Sequence, residues 1–334
     1  MKQKTLLDIA RIAGVSPSTV SRALRNHPDI SQKTINKIRA LALKHNFSPN
    51  PMAQGLKNNT TKTIGVIVPE ITHDFFSTAI SGIEEVVYKS GYTLILCQSN
   101  EEYDREVINI DVLLNHRVAG IIVSISEKTK EGSHFKKVLD RKTPLVFFDR
   151  VCNDINTTKV IIDDRNGAVE AVNHLVSRGY KRIAYLAGPK NLSNAHQRYL
   201  GYMDALKKNK IKADSRLVLY GGMNEEDGYD SMDKIIKGNL KPDAVFAVND
   251  PVALGAFQRI KEAKMKIPDE IALMGFSNNK LLNYIEPRLT TVSQPSFEMG
   301  KKAAEVLIER IEKRREAAGE QIVLKTRLVV GEST

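Results

Sequence analysis

Apolar side chains in the first 47 residues of this 334-residue chain recur at the three- and four-residue spacing of amphipathic helices. Thr5, followed three residues later by Asp8, resembles a capping box that starts the first helix. Ser16 is suited to cap a second helix with Pro17 at its first position, and a third helix starts at Ser31. The pattern therefore predicts three short helices around one small core, arranged as a helix-turn-helix module.

The pattern changes at Thr63, where short runs rich in Val and Ile begin to alternate with amphipathic helical stretches. Such alternation is typical of buried parallel strands joined by helical crossovers. Because nine such runs are more strands than one sheet usually holds, we predict two doubly wound subdomains with a ligand cleft at the carboxyl ends of their strands. The predicted strands span 64–68, 93–97, 120–125, 145–148, 160–162, 183–187, 217–220, 244–248 and 271–276, and a last strand-like run spans 322–330.

Residues 48–62, between these two regions, have the composition of a linker. Asn50 is suited to cap, and Pro51 to open, a helix of about one or two turns that ends at Leu56. So short a helix is marginal alone, and Gly55 weakens it further. We therefore expect this segment to fold only when a partner docks against it.

Charge is concentrated at the start of the chain. Residues 1–62 hold eleven Lys and Arg against two Asp, a net charge of +9 out of the formal +11 of the whole chain. The remaining residues nearly balance, with 39 basic against 37 acidic side chains. A local basic excess of this kind attracts a polyanion, and nucleic acid is the partner that we expect.

Several classes of protein are disfavoured by the same sequence. No apolar stretch approaches the length of a membrane span, and Asp8 and Arg11 interrupt the N-terminal apolar run that a signal peptide needs. A cytoplasmic protein without a membrane partner is therefore expected. The chain has no glycine-rich dinucleotide motif after the first strand, no Gly-x-x-x-x-Gly-Lys motif and no nucleophile elbow, and its seven His lack metal-type spacing. We predict no enzyme activity, no cofactor and no metal site.

The motifs together resemble the lactose-repressor/galactose-repressor (LacI/GalR) family of bacterial regulators over essentially the whole chain. One shared motif is Thr-Leu-Leu-Asp-Ile-Ala followed by Ala-Gly-Val-Ser-Pro-Ser-Thr-Val-Ser-Arg, within residues 5–22. The other matching segments are Ser-Gln-Lys-Thr at 31–34, Asn-Pro-Met-Ala-Gln-Gly-Leu at 50–56, Gly-Val-Ile-Val-Pro at 65–69, Val-Asn-Asp at 248–250 and Leu-Thr-Thr-Val-Ser-Gln-Pro at 289–295. So many matches in one order are far more specific than a lone helix-turn-helix pattern.

The resemblance implies an all-α helix-turn-helix headpiece joined to an α/β periplasmic-binding-protein-like core of two doubly wound parallel-sheet subdomains. The headpiece spans 1–47, a hinge helix or linker 48–62, and the core, for effector binding and dimerisation, 63–334. Within the core, the N-subdomain covers about 63–161 and 292–320, and the C-subdomain covers about 162–291 and 321–334.

The resemblance also implies a homodimer on a pseudopalindromic double-stranded operator, with recognition helices in adjacent major grooves and hinge helices in the central minor groove. Arg22 is suited to fork onto guanine, and Leu56 matches a leucine wedge that bends the duplex. Pro17 departs from the family because it replaces a side chain that often reads a base. Asp29 stands where a neutral or basic residue would touch phosphate, so we expect no phosphate contact there. The DNA-binding positions carried over are Thr5, Leu6, Ser16, Pro17, Ser18, Thr19, Ser21, Arg22, Arg25, Ser31, Thr34, Asn50, Ala53 and Leu56.

Some of these positions have a second interpretation. Ser16 and Thr34 are equally suited to serve as helix-end residues that do not touch DNA. Thr19 is suited to face the helix-turn-helix core, and Leu56 to simple packing.

The core resembles periplasmic sugar-binding proteins of the ribose-binding type. In that comparison Phe75 and Phe76 match an aromatic pair that sandwiches a sugar ring, and Asp149 and Arg150 match a pair that divides neighbouring hydroxyls between acceptor and donor. Ser277 stands where some family members place a ligand-binding Asp. The effector-binding positions carried over are His73, Phe75, Phe76, Asn100, Asp149, Arg150, Arg198, Asn249, Asp250, Ser277 and Gln294.

These positions, too, have purely structural alternatives. The two Phe residues are compatible with the core, Asp250 with a helix cap, and the Asp149–Arg150 pair with an internal salt bridge. We expect a DNA-binding transcriptional repressor of the cytoplasm, associated with the nucleoid and controlled allosterically by a small carbohydrate-type effector. The alternative is a carbohydrate sensor that acts mainly through protein partners. A dimer is expected rather than a tetramer, because no leucine heptads follow the last strand-like run.

Overall fold

The computed structural model of the protein describes residues 4–47, 61–313 and 319–334. The chain divides into two compact units, Met1–Thr61 and Lys62–Thr334. We use the name headpiece for residues 4–47 and core for the second unit. The predicted hinge helix, with Asn50, Ala53 and Leu56, lies outside the described residues.

Within residues 4–47 the headpiece folds into three helices, α1 (Leu6–Ala13), α2 (Pro17–Leu24) and α3 (Gln32–Lys44). Thr5 and Asp8 cap α1 reciprocally, with Asp8 N–H donating to Thr5 Oγ1 at 3.3 Å and Thr5 N–H donating to Asp8 Oδ2 at 2.9 Å. Gly14 follows α1 with a φ of 72°, a conformation that glycine adopts without strain. The predicted helix starts are confirmed. The helices bury Ile9, Ala10, Ala13, Val20, Ala23, Ile35 and Ile38 against one another.

The described part of the core contains two six-stranded sheets with helices on their faces. Its strands are β1 (Thr63–Val68), β2 (Thr93–Gln98), β3 (Gly120–Val123), β4 (Leu145–Phe148), β5 (Thr158–Ile162), β6 (Ile183–Ala187), β7 (Val218–Tyr220), β8 (Ala244–Ala247), β9 (Ala272–Ser277), β10 (Thr290–Ser293), β11 (Gln321–Leu324) and β12 (Arg327–Val329). Its α-helices are α4 (Asp74–Lys89), α5 (Tyr103–Asn115), α6 (Ser133–Asp140), α7 (Asp164–Ser177), α8 (Ser193–Lys208), α9 (Glu225–Lys237), α10 (Asp250–Glu262) and α11 (Ser296–Lys313). Short 3₁₀ turns occupy Ser215–Leu217 and Lys280–Tyr284.

The strand order is β11-β5-β4-β3-β1-β2 in the first sheet and β12-β10-β9-β8-β6-β7 in the second. Neighbouring strands are parallel, except that β12 runs antiparallel to β10. Central strands such as β3 and β4 are buried at every residue, as a sheet covered by helices on both faces requires. The predicted fold class of two doubly wound subdomains is confirmed.

The chain crosses between the two sheets at positions that differ from the predicted subdomain boundaries. β10 pairs with β9 in the second sheet. Residues 292 and 293 therefore belong to the second sheet, whereas the prediction placed them in the N-subdomain. β11 pairs with β5 in the first sheet, so residues 321–324 do not belong to the C-subdomain. The predicted single run at 322–330 is two strands in different sheets, separated at Lys325 and Thr326. Each half is one polar residue followed by apolar residues, Gln-Ile-Val-Leu and Arg-Leu-Val, so pattern alone does not tell which sheet each half joins.

One strand was not predicted, because its sequence looks polar. β10 consists of Thr290, Thr291, Val292 and Ser293, yet its first two residues are buried. Their hydroxyls are satisfied inside the protein, since Thr291 Oγ1 donates to Asp250 Oδ1 at 2.7 Å and Thr290 Oγ1 lies 2.8 Å from Thr334 Oγ1. A buried hydroxyl with a partner costs little, and the strand is therefore stable in the interior.

Two glycines allow α4 and α11 to approach closely. A Cβ on Gly82 would lie 2.1 Å from Phe297 O, and a Cβ on Gly300 would lie 1.9 Å from Ala79 O. Larger residues at either position would push the helices apart. This contact anchors α11 to the first sheet, although the chain reaches α11 from the second.

Among the residues that the structure describes, no helix is both long enough and apolar enough to cross a membrane.

Candidate functional site

The predicted DNA-binding side chains that the structure describes lie at the starts of all three headpiece helices and along α2. Thr5, Arg25 and Ser31 are exposed, while Leu6 and Ser21 are half-buried. Pro17 occupies the first position of α2 and is exposed as well. The exposed members of this set are therefore accessible from solvent.

Ser16 links three residues at the start of α2. Its hydroxyl oxygen accepts from Thr19 N–H at 3.1 Å and lies 2.7 Å from Ser18 Oγ and 2.8 Å from Thr19 Oγ1. Ser16 is therefore the N-cap of α2, as its second interpretation holds, and it remains exposed. At the start of α3, Ser31 is the N-cap and Thr34 takes the place that Thr19 has in α2, since Thr34 N–H donates to Ser31 Oγ at 3.3 Å. Thr19 and Thr34 are each half-buried.

Arg22 projects from the last turn of α2 and is 57% exposed. Its Nη1 lies 3.9 Å from Asp29 Oδ2, and His27 Nδ1 lies 3.4 Å from the same oxygen. Asp29, where we expected no phosphate contact, therefore faces the predicted base-reading side chain.

The core carries a cavity of about 200 Å³ between the two sheets, at the carboxyl ends of their strands. Residues from both subdomains line it, as expected for a ligand cleft of a doubly wound fold. The lining residues are His73, Asp74, Phe75, Phe76, Thr78, Asp149, Arg150, Asn194, Arg198, Met223, Asn249, Pro251, Ser277, Asn278, Asn279, Lys280, Gln294 and Ser296.

Phe75 and Phe76 form the aromatic wall of this cavity at the start of α4. Their ring centroids are 5.2 Å apart and the rings are nearly perpendicular. Phe76 is buried and carries the Arg150 guanidinium over its face at 5.6 Å, whereas Phe75 is half-buried. His73, the residue before the helix, stacks on Phe76 at 6.4 Å. The pair is therefore both part of the core and part of the cavity wall.

Asp149 and Arg150 follow β4 and are both buried. Asp149 has a φ of 55°, an uncommon value for a residue other than glycine, and its Oδ1 accepts from Asn194 Nδ2 at 3.3 Å. Arg150 Nη1 donates to the two carboxylate oxygens of Glu101 at 2.7 and 2.9 Å, while its Nε is 4.0 Å from Asp149 Oδ2. Burial raises the pKa of the Asp149 carboxyl, although Arg150 and Arg198 oppose the shift.

Arg198 forms the floor of the cavity and is almost completely buried. Its Nε donates to Asp164 Oδ1 at 2.8 Å, its Nη1 donates to Val248 O at 2.7 Å, and its guanidinium lies 3.9 Å over the Phe276 ring. Burial raises the pKa of Asp164 to about 7, although its bond with Arg198 favours the ionised form. A rigid guanidinium is thus presented to the cavity.

Gln294 and Ser277 close the cavity near the crossover from β10 to α11. Gln294 Nε2 donates to Ser277 Oγ at 3.0 Å. Gln294 Oε1 and Arg150 Nε are buried and have no hydrogen-bond partner among the described residues. Buried polar atoms usually have partners, so an unpaired acceptor and an unpaired donor in one cavity indicate positions that a ligand satisfies.

The side chains of three predicted effector residues, Asn100, Asp250 and Asn249, form hydrogen bonds within the protein. Asn100 does not line the cavity, and its Oδ1 accepts from Gln98 Nε2 at 2.6 Å. Asp250 is also outside the lining. Its carboxylate accepts from Asn279 N–H and from the Thr291 hydroxyl, each at 2.7 Å.

Asn249 does reach the lining, but as the N-cap of α10 it accepts from Val252 N–H at 2.9 Å and donates to Met223 O at 2.8 Å. Burial raises the pKa of Asp250 to about 6, although the Asn279 N–H and the Thr291 hydroxyl both favour its ionised form. The side chains of Asn249 and Asp250 therefore stabilise the strand ends around the cavity.

Other polar residues of the site were not predicted. Asn194 lies one helical turn before Arg198 on α8, and this spacing was the signal that both share a face. Glu101 behind Arg150, and the ion pair of Asp74 with Lys280 at 3.2 Å, gave no local signal because each joins distant segments. No group of three or more His, Cys, Asp or Glu within 4–47, 61–313 or 319–334 is placed to hold a metal ion.

Known proteins resemble both units of the chain. Residues 5–50 match the family described as bacterial regulatory proteins, lacI family, and residues 172–334 match that described as a periplasmic binding protein-like domain. The HTH-type transcriptional repressor PurR of Vibrio atlanticus (strain LGP32) is 37% identical over 309 residues, which cover 92% of each protein.

Solved structures show the same likeness. The Lac repressor dimer bound to operator and the anti-inducer ONPF is 25% identical with a TM-score of 0.86, and the match covers 99% of each chain. A LacI family transcriptional regulator from Enterococcus faecium with bound ribose is 29% identical with a TM-score of 0.73, covering 81% of this chain and 98% of that chain.

Proposed function

Since the chain belongs to the LacI family of bacterial regulatory proteins, whose members are non-enzymatic DNA-binding regulators, we propose that it is a transcriptional repressor controlled by a small carbohydrate-type effector. The observation that carries the proposal is the combination in one chain of an exposed basic helix-turn-helix with a cleft that has an aromatic wall and unpaired polar atoms. Its place of action is the cytoplasm, on nucleoid DNA.

The headpiece supports binding to a double-stranded operator. The exposed hydroxyls of Ser16 and Ser18 and the guanidinium of Arg22 stand together at α2, where they are suited to phosphates and base edges. The Lac repressor structure contains a dimer on an operator. We therefore propose that two copies of this chain bind a pseudopalindromic site, with Asn50, Ala53 and Leu56 at its centre.

Exposed apolar side chains on the core support the homodimer. Ile71, Leu281 and Tyr284 are 44%, 57% and 84% exposed, and Leu96 on the edge strand β2 is 39% exposed. Large apolar side chains in solvent, such as Leu96 on an edge strand, are typical of surfaces that a partner covers. We propose that the dimer interface includes these residues.

The cleft supports effector control. Its lining comes from both subdomains, so a ligand that binds all of it would alter the angle between them. A change of that angle in a dimer would alter the spacing of the two hinge segments. A coupling of about 1–3 kcal/mol between the sites would change operator affinity about 5- to 150-fold.

The test measures operator affinity while sugars are titrated. An operator is first selected from random duplexes with the full chain, and monosaccharides are then added at rising concentration. Phe75→Ala should weaken the response to the sugar without changing affinity in its absence, and Phe257→Ala, outside the cavity lining, should change neither. If a sugar saturates the pocket and affinity stays constant, effector control is refuted. If no sequence is preferred over random DNA, repression through an operator is refuted.

A further inference from the structure

The two arginines that line the cavity already have carboxylate partners. Arg150 Nη1 lies 2.7 Å from Glu101 Oε1, and Arg198 Nε lies 2.8 Å from Asp164 Oδ1. Glu101 and Asp164 stand behind the cavity wall and do not line it. Each guanidinium therefore offers its remaining N–H groups to a ligand, while its positive charge is balanced from behind.

The same arrangement occurs at the mouth of the cavity. Lys280 Nζ lies 3.2 Å from Asp74 Oδ1, and His73 Nε2 lies 3.6 Å from Glu70 Oε2. Each basic side chain in the described cavity lining thus stands beside a carboxylate. An anionic ligand would have to displace one of these carboxylates or remain without a counter-charge.

Asp149 has the longest ionic contact of the charged groups in the described lining. Its nearest cation, Arg150 Nε, is 4.0 Å away, and its hydrogen bond comes from the neutral amide of Asn194. A phosphate placed here would meet a carboxylate of the same sign in a buried site, which is strongly unfavourable. A ligand ammonium would meet the guanidinium groups of Arg150 and Arg198, which flank the carboxylate.

The unpaired polar atoms are suited to hydroxyl groups. Arg150 Nε is a donor and Gln294 Oε1 an acceptor without a hydrogen-bond partner, and the Asp149 carboxylate, which accepts from Asn194, keeps further acceptor capacity. A hydroxyl group both donates and accepts, so a row of hydroxyls satisfies all three. The Phe75 and Phe76 rings supply an apolar wall for the ring face of such a molecule.

The cavity volume of about 200 Å³ limits the size of the ligand. Pockets for drug-sized molecules measure about 300–1,000 Å³, so this one is small. We propose that the effector is an uncharged polyhydroxylated molecule of about monosaccharide size, and that the pocket rejects its phosphorylated derivatives. The inference rests on the proposed function, because it assigns a chemical class to the effector of that same cleft.

The first experiment compares matched pairs of ligands by calorimetry on the full chain. The probes are ribose with ribose 5-phosphate, glucose with glucose 6-phosphate, and fructose with fructose 6-phosphate. We expect at least one neutral sugar to bind and its phosphate to bind about tenfold more weakly or worse, which corresponds to about 1.4 kcal/mol or more. A phosphate that binds as tightly as its neutral partner overturns the inference and leaves effector control by a carbohydrate intact. If none of the six binds or changes operator affinity, effector control by a monosaccharide fails, and the inference fails with it.

The second experiment does not depend on the identity of the effector. Glu101→Gln removes the carboxylate behind Arg150, so inorganic phosphate should bind at least about tenfold more tightly than to the wild-type chain. Glu102→Gln is the matched control, because Glu102 is exposed and pairs with Lys128 outside the cavity. Equal phosphate binding by wild type and Glu101→Gln refutes the neutralising role of Glu101. Asp74→Asn, at the accessible mouth of the cavity, provides the same comparison if Glu101→Gln does not fold.

Discussion

In the described headpiece, the side chains that we assign to DNA are exposed or half-buried and close together in the sequence, whereas Asp149, Arg150 and Arg198 of the core cavity are buried and come from two distant segments. Arg22 and Arg198 illustrate the difference. The Arg22 side chain is 57% exposed and 3.9 Å from an exposed Asp29, while the Arg198 side chain is 2% exposed and 2.8 Å from a buried Asp164. One cation is available to solvent, and the other is held in a fixed geometry.

This difference follows from the cost of moving a charge out of water. An exposed guanidinium keeps its hydration and can attract a polyanion over about a Debye length. A buried guanidinium needs its counter-charge inside the protein before any ligand arrives. The headpiece is therefore suited to attract DNA of any sequence, and the core cavity to select a ligand by hydrogen bonds and shape.

The largest expected effect separates the two kinds of ion pair. Arg198→Met leaves Asp164 buried without its partner, and at pH 8 we expect the core to lose about 3–5 kcal/mol of unfolding free energy. Urea denaturation of the full chain, followed by circular dichroism, measures the loss. Arg165→Met is the control, because the Arg165 pair with Asp204 is exposed and its removal should change stability little. Equal losses in both variants would contradict the distinction between buried and exposed pairs.

A pH series examines the same buried pair. Burial raises the pKa of Asp164 from 3.8 to about 7. Between these two pH values the folded state therefore keeps a proton on Asp164 that the unfolded state has released. Stability from this group is therefore complete below about pH 4 and is lost as pH rises to 7, with a slope of at most about 1.4 kcal/mol per pH unit.

The Asp164→Asn variant isolates this contribution, because Asn does not titrate. Relative to the variant, the wild-type core should become less stable between pH 4 and 7. The difference in urea midpoint, measured at several pH values, checks the direction. A constant difference would show that Asp164 keeps an ordinary pKa.

Base reading by the headpiece is the next effect in size. Arg22→Ala should lower discrimination between operator and random DNA by about 1–3 kcal/mol, because a guanidinium that reads guanine is removed. Lys33→Ala should weaken binding to both DNAs and reduce the salt slope by about 1, as expected for a phosphate contact. Affinities at several salt concentrations measure both. A loss for Arg22→Ala that is equal on operator and random DNA would remove it from base reading.

The smallest effect distinguishes the two interpretations of Ser16. Ser16→Ala removes the N-cap of α2 and should destabilise the headpiece by about 1 kcal/mol, whereas Ser16→Gly should cost only a few tenths. Both variants lack the hydroxyl. Similar losses of operator affinity would assign a DNA contact to that hydroxyl. Affinity that instead follows the melting temperature of the headpiece would assign it to the cap alone.

Features that depend on a few neighbouring residues were predictable. Thr5, Ser16 and Ser31 cap helices as predicted, because an N-cap bonds to a backbone amide only three residues away. The nine predicted strands overlap observed ones, since buried parallel strands need continuous apolar runs.

Features that join distant segments were not predictable in the same way. Asp250 has a side chain suited to a ligand, yet it is buried against Thr291 and Asn279, which lie beyond the following helix. Glu101 is an ordinary acidic residue in the sequence, and only the meeting of the loops after β2 and β4 places it against Arg150. Residue type shows what a side chain is able to bind, and the fold decides which partner reaches it first.

The sequence by itself determined the basic helix-turn-helix, the doubly wound class of the core and the family, because these depend on local spacing and composition. The tertiary structure alone decided where the chain crosses between the sheets, which polar residues reach the cavity and which carboxylate stands behind each arginine. The physical reason is that burial turns a charge or a hydroxyl from a solvated group into one that must find a partner. Which partners are near enough depends on how segments far apart in the chain pack together.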